Sequence, residues 1–388
     1  MAKILMIAPT PFFADRGCHT QIYEEIKSLQ KLGHQIVLCT YGLGRDVPGV
    51  RTARCLNFPW YRKLEAGPSF TKILLLPLLT LTVLKTAFAF RPDIIHAHLH
   101  EGACIARVCK YFFRRKKYIF DMQGTLTGEL LQHKFISQTG LPFRFYRFME
   151  QRIAGWFPVI TQSESMLGEL RLLKGDGVNA ANVKDGVDTE IFHPVPFDAG
   201  LGARLGIDPE KPRILFMGLL EEYQGVDIML NAFAKASLRM PDLQFIVIGY
   251  PNIGKYEGLC KSLGISGKVK FLGRIKYQEL PSYLSLSRVA VAPKIAATEG
   301  DGKIYNYMAM GMATVAFDRS VSREILGDAA FFCRAGDAGD LADKIVHALS
   351  SPGECEEKGR LARDRAVKHL SWDAVGRRID EVYRRLQQ

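Results

Sequence analysis

Two stretches of this chain share a pattern that constrains its fold class: a short, continuous apolar run, then a turn, then an amphipathic helix. The first begins with KILMIAP at 3–9 and has a helix predicted over residues 21–32. The second begins with RILFMG at 213–218 and has a helix predicted over residues 228–238. In both, the helix leads into another apolar run. Strands that are apolar along their whole length are typical of parallel sheets covered by helices on both faces.

The pattern therefore predicts an α/β protein with two Rossmann-like domains. A length of 388 residues agrees with two domains. The stretch 192–212 separates the two series and is rich in proline and glycine, and we place a linker near residues 194–205. We expect one domain over 1–195, a second over 205–370 and a final helix over 371–388.

The net charge of +12 is uneven along the chain. Residues 1–195 hold 25 Lys and Arg against 16 Asp and Glu, which gives +9, and the remainder carries +3. A basic surface of this kind can face nucleic acid or an anionic membrane leaflet. No nucleic-acid motif accompanies the charge, so we expect no nucleic-acid partner. A soluble protein with a moderately high isoelectric point is the other interpretation.

Cysteine usage and the first residues both indicate a cytoplasmic protein. The eight cysteines are scattered without a CxxC pair, and most lie in apolar stretches, as buried thiols in a reducing compartment do. The opening MAKILMIAPTPFF has a short apolar run without a cleavage signature, so we interpret it as a first strand and not as a signal peptide.

The stretch 72–90 is apolar enough to raise the question of a membrane span. Pro77 interrupts it, and Lys72 and Lys85 leave an uncharged run of 12 residues, whereas a span needs about 20. We expect a core helix, with a helix lying in the membrane interface as the alternative. The stretches 111–120 and 143–152 mix aromatic and cationic residues, and are interpreted either as ordinary helix surfaces or as a patch that contacts lipid headgroups.

The stretch 293–318 combines a glycine-rich loop, an amphipathic helix and a buried strand. It reads PKIAATEGDGKIYNYMAMGMATVAFD, with Glu299 in the loop, Lys303 at the helix start, a helix stop at Gly311 and the strand Ala313–Phe317. Free backbone N–H groups at a helix N-terminus bind phosphate, and a nearby carboxylate can bind hydroxyl groups. The stretch therefore predicts a site for a nucleotide sugar.

Segments of this chain, in order, resemble the family 4 glycosyltransferases of the GT-B fold. The resemblance spans nearly the whole length. The segments are PDIIHAH at 92–98, DGVDTEIFHP at 185–194, FLGRIKYQELPSYL at 271–284, YMAMG with ATVAFD between 307 and 318, and LSWDAVGRRIDEVYRRL at 370–386.

The resemblance implies a fold and a reaction. The fold has two parallel sheets facing across a cleft, with the C-terminal helix packing back on the N-terminal domain. The reaction is a retaining transfer, of the hexosyltransferase class, from a nucleotide-diphosphate sugar to a hydroxyl of a glycan or lipid-linked acceptor. Such acceptors would place the protein at the inner face of a membrane. No Asp-x-Asp motif is present, so we expect neither a metal nor a cofactor.

The resemblance also assigns donor-site residues in the second domain. Glu299 would orient hydroxyl groups of the transferred sugar, although strict spacing from Gly311 falls on Thr298. Gly302, Lys303 and Asn306 would hold the nucleotide. The other donor-binding residues expected are Gly218, Gln224, Arg274, Lys294 and Ile304.

The chain departs from the family pattern at several charged positions. Leu219 and Gln224 stand where the family has an Arg and a Lys that grip the pyrophosphate, and Asn306 replaces a Glu that binds the ribose. Each lost charge-assisted contact is worth about 1.5–3 kcal/mol. We expect Lys303 to supply the missing charge, with Lys294 or Arg274 as further candidates.

In the first domain, the resemblance points to His98, Gln123 and Gly17. His98 ends a predicted strand and either contacts the sugar or acceptor or caps the strand, while the alternating His96 could belong to the core. Gln123 stands where the family often has a His that binds the sugar. Gly17 lies in a loop and is either a point of close backbone approach to the ligand or an ordinary turn glycine.

Two other functions compete with glycosyl transfer. A non-catalytic GT-B binding or scaffolding protein is favoured by the replaced charges, and a sugar-nucleotide epimerase is a further alternative. An NAD-dependent dehydrogenase is disfavoured because no GxGxxG follows the first strand.

Overall fold

Two parallel sheets with helices on both faces organise the chain, one sheet in each of two units. A computed structural model describes residues 1–14, 17–62, 71–132, 135–175, 177–295 and 301–387. The first unit is Met1–Asp185 with Trp372–Gln388, and the second is Gly186–Ser371. The stretch 194–205, where we placed the linker, lies in the second unit.

The first unit begins with alternating strands and helices. Its elements are β1 (Lys3–Ala8), α1 (Gly17–Lys31), β2 (Gln35–Thr40), β3 (Thr52–Arg54), α2 (Thr71–Phe90), β4 (Ile94–His98), α3 (Leu99–Phe112), β5 (Lys117–Met122), α4 (Leu126–Gln132), α5 (Leu141–Ala154), β6 (Val159–Thr161), α6 (Glu164–Lys174) and β7 (Ala180–Asn182).

The second unit repeats the alternation, and one last helix returns to the first. The elements are α7 (Ala199–Leu205), β8 (Arg213–Met217), α8 (Val226–Arg239), β9 (Gln244–Ile248), α9 (Ile253–Ser262), β10 (Val269–Gly273), α10 (Leu280–Leu284), β11 (Val289–Ala292), α11 (Gly302–Ala309), β12 (Ala313–Phe317), α12 (Ser320–Leu326), β13 (Ala330–Cys333), α13 (Ala338–Ser350), α14 (Pro352–Arg365) and α15 (Trp372–Gln387).

Both sheets have the doubly wound strand order. In the described residues the first sheet runs β3-β2-β1-β4-β5-β6-β7 and the second β10-β9-β8-β11-β12-β13. The order reverses between β1 and β4 and between β8 and β11. Ligands of such sheets bind beyond the carboxyl ends of the strands at these switch points. His98 ends β4, and Gly218 and Lys294 follow β8 and β11, so predicted site residues lie at both switch points.

The core of each unit lies on both faces of its sheet, as expected for apolar strands. In the first unit α2, α3, α5 and α6 share one core with the sheet, while α1 and α15 share the core on the opposite face. Helix α15 crosses α1 closely, because a side chain at Gly376 would lie 2.7 Å from Ser28 Oγ. The predictions of an α/β fold with two Rossmann-like sheets, and of a C-terminal helix packing back on the N-terminal unit, are confirmed.

Helix α2 contains the stretch 72–90, for which a core helix was the expected structure and an interfacial helix the alternative. Leu75, Leu79 and Val83 are fully buried, so the helix contributes to the core as expected. Within the described residues, no helix combines the length and the hydrophobicity that crossing a membrane requires.

Candidate functional site

The amino end of α11 holds a buried ion pair. Lys303 Nζ lies 2.9 Å from Asp301 Oδ1 and donates a hydrogen bond of 2.5 Å to Gln224 Oε1. All three side chains are buried. The same ammonium group lies 5.0 Å from the centre of the Phe216 ring, a distance at which a cation is attracted to the ring face. Lys303 is therefore held in place on three sides.

Local sequence explains why these groups meet. Gly225 has φ +74°, and a side chain there would collide with the carbonyl of Pro293, so glycine is what lets Gln224 approach the end of β11. Gly218 follows β8, and a Cβ there would lie 2.8 Å from Lys303 Cε, so its missing side chain leaves the path of Lys303 open. The hydroxyl of Tyr307 accepts a 2.7 Å hydrogen bond from the Met217 backbone, which ties α11 to β8.

Two further buried cations, Lys294 and Arg319, act on the same pair. Burial lowers the pKa of Lys303, and Asp301 only partly offsets this, so the value stays below the ordinary one. Burial raises the pKa of Asp301, but Lys303 and Lys294 outweigh it and the pKa falls below its usual value. Lys294 and Arg319 also make other interactions. The described part of this group, which we call the cation group, thus holds three cations and one carboxylate.

The end of α11 is accessible beside the cation group. Gly302, its first residue, is exposed, and among the described residues a side chain built there would meet nothing within 4 Å. Such an end has free backbone N–H groups and the positive pole of the helix dipole. Together with the cations, it suits an anion such as a phosphate.

The other predicted donor-site residues are placed differently. Asn306 is half-buried in the next turn of α11, and the side chain of Ile304 is fully buried in the core. Arg274 is exposed and lies over the Tyr250 ring. Leu219 is partly exposed beside Gly218. Glu299 and Thr298 lie outside the described residues.

In the first unit, Asp121 joins the two polar residues that the sequence singled out. Its Oδ2 lies 2.9 Å from His98 Nδ1 and accepts a 2.9 Å hydrogen bond from Gln123 Nε2. His98 and Asp121 are register partners on the neighbouring strands β4 and β5, which explains the contact. Sequence reasoning missed Asp121; its signal was a carboxylate within the apolar run YIFDM. Gly17, the third predicted residue, is the first residue of α1.

Behind His98, a second buried contact reaches α1 and α15. His96 Nδ1 lies 2.7 Å from the Tyr383 hydroxyl and 3.2 Å from Glu25 Oε1. The His96 and His98 rings are stacked, with their centres 4.4 Å apart. We call Glu25, His96, His98, Asp121 and Tyr383 the histidine cluster. His96 is a core residue, as one of its two interpretations held.

Burial and neighbouring charges shift the pKa values in the histidine cluster in different directions. Burial raises the pKa of Glu25 to about 8, although His98 opposes the shift. Burial lowers the pKa of His96 well below its ordinary value. Burial also lowers the pKa of His98, but Glu25 and Asp121 outweigh it, so the net shift is upward. Of the two histidines, His98 is therefore the one whose positive charge its neighbours stabilise.

Polar atoms of the histidine cluster remain available for a small ligand or water. In the part of the chain that the structure describes, His98 Nε2 and Asp121 Oδ1 are buried without a hydrogen-bond partner. A cavity of about 10 Å³, lined by Glu25, His96 and Asp121 among others, has room for roughly one water molecule. Buried polar atoms are normally paired, so these atoms mark a place where water or a substrate group is expected.

The histidine cluster also raises the question of a metal. Glu25, His96 and His98 offer ligand atoms within 4.8 Å of one another. The two rings are only 24° from parallel, however, and the lone pair of each ring nitrogen lies in its ring plane. The two lone pairs therefore do not converge on one ion in this arrangement, which does not fit metal coordination.

Both units match known protein families. Residues 202–365 match the family described as "Glycosyl transferases group 1", and residues 16–184 match the "Glycosyl transferase 4-like domain". The first match contains the cation group, and the second contains Glu25, His96, His98 and Asp121 of the histidine cluster. Tyr383 lies outside both matches.

Curated relatives and solved structures agree with these matches. The chain is 26% identical over 212 residues to the GDP-mannose-dependent monoacylated alpha-(1-6)-phosphatidylinositol monomannoside mannosyltransferase of Corynebacterium glutamicum, covering 52% of this chain and 55% of that protein. It is 28% identical over 218 residues to the phosphatidyl-myo-inositol mannosyltransferase of Mycolicibacterium smegmatis, covering 53% and 52%. The chain thus spans about half the length of these curated relatives.

The structural likeness extends over the whole chain. The sucrose-phosphate synthase of Thermosynechococcus elongatus superposes with a TM-score of 0.84 at 18% identity, covering 100% of this chain and 99% of that one. The likeness identifies the fold, which is the GT-B fold that the sequence predicted.

Proposed function

We propose that this chain, which belongs to the family 4 glycosyltransferases, transfers a sugar from a nucleotide-diphosphate donor to an acceptor hydroxyl with retention of the anomeric configuration. The observation that carries the proposal is the cation group at the amino end of α11. A diphosphate there would meet the Lys303 ammonium group and the free N–H groups of the helix end.

Gln224 gives the strongest support for a diphosphate at this place. The resemblance puts a pyrophosphate-binding lysine at position 224, and this chain has lost it. Gln224 instead accepts a hydrogen bond from Lys303, whose backbone belongs to α11. A positive charge, paired with Asp301, therefore lies 2.5 Å from the side chain that stands in place of the lysine.

The chemistry follows from where charge develops. Breaking the anomeric C–O bond leaves positive charge on the sugar and negative charge on the departing diphosphate. Preorganised cations and N–H groups stabilise that negative charge in a low-dielectric site. We propose that Lys303, aided by Lys294, does this without a metal, and that the leaving phosphate takes the acceptor proton.

The roles proposed for other residues concern hydroxyl groups. Glu299 would orient hydroxyls of the transferred sugar, and Asn306 would bind the ribose. His98 and Gln123, fixed by Asp121, would bind hydroxyls of the sugar or acceptor. His98 has an unpartnered, buried Nε2 among the described residues, which supports a ligand contact.

The names of the relatives support a lipid-linked acceptor. One is GDP-mannose-dependent, and both act on phosphatidylinositol-type lipids according to their names. We propose a glycan or lipid-linked acceptor at the inner face of a membrane, with the basic N-terminal unit contacting anionic lipids. The high positive charge of residues 1–195 supports that contact.

A donor screen tests the proposal. The protein is titrated calorimetrically with UDP-, GDP- and ADP-sugars, and the donors that bind are incubated with lipid-linked and glycan acceptors under mass-spectrometric detection. Binding of at least one donor, with release of its diphosphate when acceptor is present, is expected. Binding without transfer to any acceptor would favour the non-catalytic alternative. Failure of all donors would overturn the proposed site.

A further inference from the structure

Large exposed hydrophobic side chains are concentrated in the first unit. Among the described residues, 15 of the 19 such side chains belong to it. The second unit has the same alternation of strands and helices and the same strand order, yet leaves few of these side chains in water. The architecture itself therefore does not require this exposure. A contiguous exposed apolar patch commonly marks an interaction surface.

Three helices on one face of the first sheet carry most of this exposure. Helices α2, α3 and α5 bury their inner sides in one common core. Their outer sides carry nine exposed apolar or aromatic residues, and we call this surface the outer face. The residues are Leu74, Leu81 and Phe88 on α2, Val108, Tyr111 and Phe112 on α3, and Leu141, Phe145 and Phe148 on α5.

The exposed apolar residues of helix α2 follow a regular spacing. Leu74, Leu81 and Phe88 are spaced by seven residues, so they lie along one line of the helix, and they are 54%, 64% and 61% exposed. The opposite side of the helix is buried in the core. A helix that is apolar all round is normally covered on every side, in a large core or by lipid. Here its outer side has no cover within the described residues of the unit.

Cations are interleaved with these residues. The end of α3 places Arg114, Arg115 and Lys116 beside Tyr111 and Phe112, around a groove of about 480 Å³. The Arg114 guanidinium lies 5.5 Å from the centre of the Tyr111 ring.

The same pattern recurs on α5 and in the charge of the face. Arg144 and Arg147 alternate with Phe145 and Phe148 along the helix. Residues 71–117, which contain α2 and α3, hold nine Lys and Arg against two Asp and Glu. Helix α5 adds three arginines, and its single acid, Glu150, is buried. The outer face is therefore both apolar and strongly positive.

We propose that the outer face docks on the surface of an anionic lipid bilayer, with α2 and α5 lying in the plane of the interface. Leucines and phenylalanines would enter the acyl boundary, while arginines and lysines would bind the anionic headgroups. Tyr111 and the long cationic side chains suit this boundary, because each has an apolar part that can lie in the lipid and a polar end that stays in water.

Charge and chemistry argue against the other occupants. A second copy of the chain would bring two strongly positive faces together, which is repulsive. A nucleic acid would meet the cations, but Leu74 and Leu81 of α2 offer it neither hydrogen bonds nor stacking. A bilayer of anionic lipid can cover the apolar residues of the outer face and also bind its cations. This contact with the bilayer rests on the function proposed above, and vesicle binding measures it independently of transferase activity.

Vesicle co-sedimentation of the full chain tests the docking surface. One set of vesicles is neutral phosphatidylcholine, and the other contains about 30% phosphatidylglycerol, a composition with a negative surface potential. The double variants are Leu81→Ser with Phe88→Ser, Phe145→Ser with Phe148→Ser, and Arg114→Glu with Arg115→Glu. The matched controls are Leu238→Ser and Arg360→Glu, which change exposed residues of the second unit. Calorimetric donor binding is measured in parallel.

The wild-type protein is expected to bind the anionic vesicles and, at most weakly, the neutral ones. Each double variant should bind at least about tenfold more weakly, because it removes two inserted groups or reverses two headgroup contacts. The controls should bind like the wild type, and donor binding should be unchanged in every variant. Equal binding of wild type and face variants would overturn the proposal. So would a change of oligomeric state by light scattering in the face variants without a change in vesicle binding, because the face would then join copies of the chain.

Discussion

The ammonium group of Lys303 lies 2.5 Å from the side-chain oxygen of Gln224, although 79 positions separate the two residues. The resemblance assigns a lysine to position 224, and a glutamine there looks like the loss of a phosphate contact. In the structure, the same neighbourhood receives its positive charge from the first turn of α11. The proposed function depends on this relocated charge.

Gln224→Glu should weaken nucleoside-diphosphate binding. A carboxylate at this position would sit against Lys303, compete for its ammonium group and repel the diphosphate. We expect an affinity loss of about tenfold or more, consistent with one charge-assisted contact. Calorimetry with UDP, GDP and ADP measures it. Gln278→Glu, an exposed change of equal charge in the same unit, is the control. Equal losses in both variants would mean that net charge, and not the contact with Lys303, is responsible.

Glu299→Gln should lower turnover more than donor affinity. The proposed role is to orient sugar hydroxyls as charge develops, and such an interaction acts mainly in the transition state. Steady-state kinetics with the donor identified by the screen should show a decrease of kcat of about tenfold or more with a donor Kd close to that of the wild type. An unaffected rate would leave Glu299 as an ordinary loop acid.

Asp121→Asn should impair the reaction by releasing His98 and Gln123. The variant removes the charge that faces His98, so the pKa of this histidine should fall and the pH profile of kcat should move to lower pH. We expect kcat to fall about tenfold, with nucleotide affinity unchanged. Asp46→Asn, an exposed aspartate of the same unit, serves as the control. A lower rate with an unshifted pH profile would indicate a structural role only.

Glu25→Gln should change how stability depends on pH. Burial raises the pKa of Glu25 from 4.5 to about 8, so between these values the folded state retains a proton that the unfolded state releases. Stability that this proton provides is present at low pH and is lost as the pH rises toward 8. From pH 5 to pH 8 the free energy of unfolding of the wild type should fall by on the order of 3 kcal/mol more than that of the variant.

Urea unfolding at pH 5, 6, 7 and 8 measures this difference. Glu381→Gln, on the exposed side of α15, should follow the wild-type curve. Parallel curves for wild type and Glu25→Gln would show that Glu25 is already ionised in the folded protein at neutral pH.

Local pattern predicted the sheets well because parallel strands are apolar along their length. The strand predicted at Ala313–Phe317 is found with the same bounds, and the two apolar runs of each series form β1, β2, β8 and β9. Element starts were less predictable. Helix α1 begins at Gly17 and not at residue 21, because His19 is buried with its Nε2 2.5 Å from Thr10 Oγ1.

The composition of the stretch near 199–205 predicts part of a linker, but this stretch forms α7. Asp198 accepts a hydrogen bond from the Leu201 backbone at the start of this helix, and Leu201 is buried in the core. A capping aspartate and one core leucine were thus enough to order a segment whose composition suggested a loop.

The candidate site was predictable only in part. Lys303 could be singled out because a helix start binds anions wherever it occurs. Its contact with Gln224, and the contacts of Glu25, Asp121 and Tyr383 with the two histidines, join residues from separate elements. Such contacts depend on how helices pack on a sheet, and no local periodicity records them.

Nucleoside and nucleoside-diphosphate binding, compared in the wild type and in Lys303→Ala, decides whether a diphosphate rests at the amino end of α11. If a diphosphate rests at the amino end of α11, removing the ammonium group should weaken diphosphate binding by about 10- to 100-fold, the value of one charge-assisted contact. Nucleoside binding should change little. Lys303→Arg, which keeps the charge, should retain most of the diphosphate affinity, and thermal unfolding should show that both variants are folded. Equal losses for nucleoside and diphosphate, or no loss for either in folded Lys303→Ala, would contradict the account.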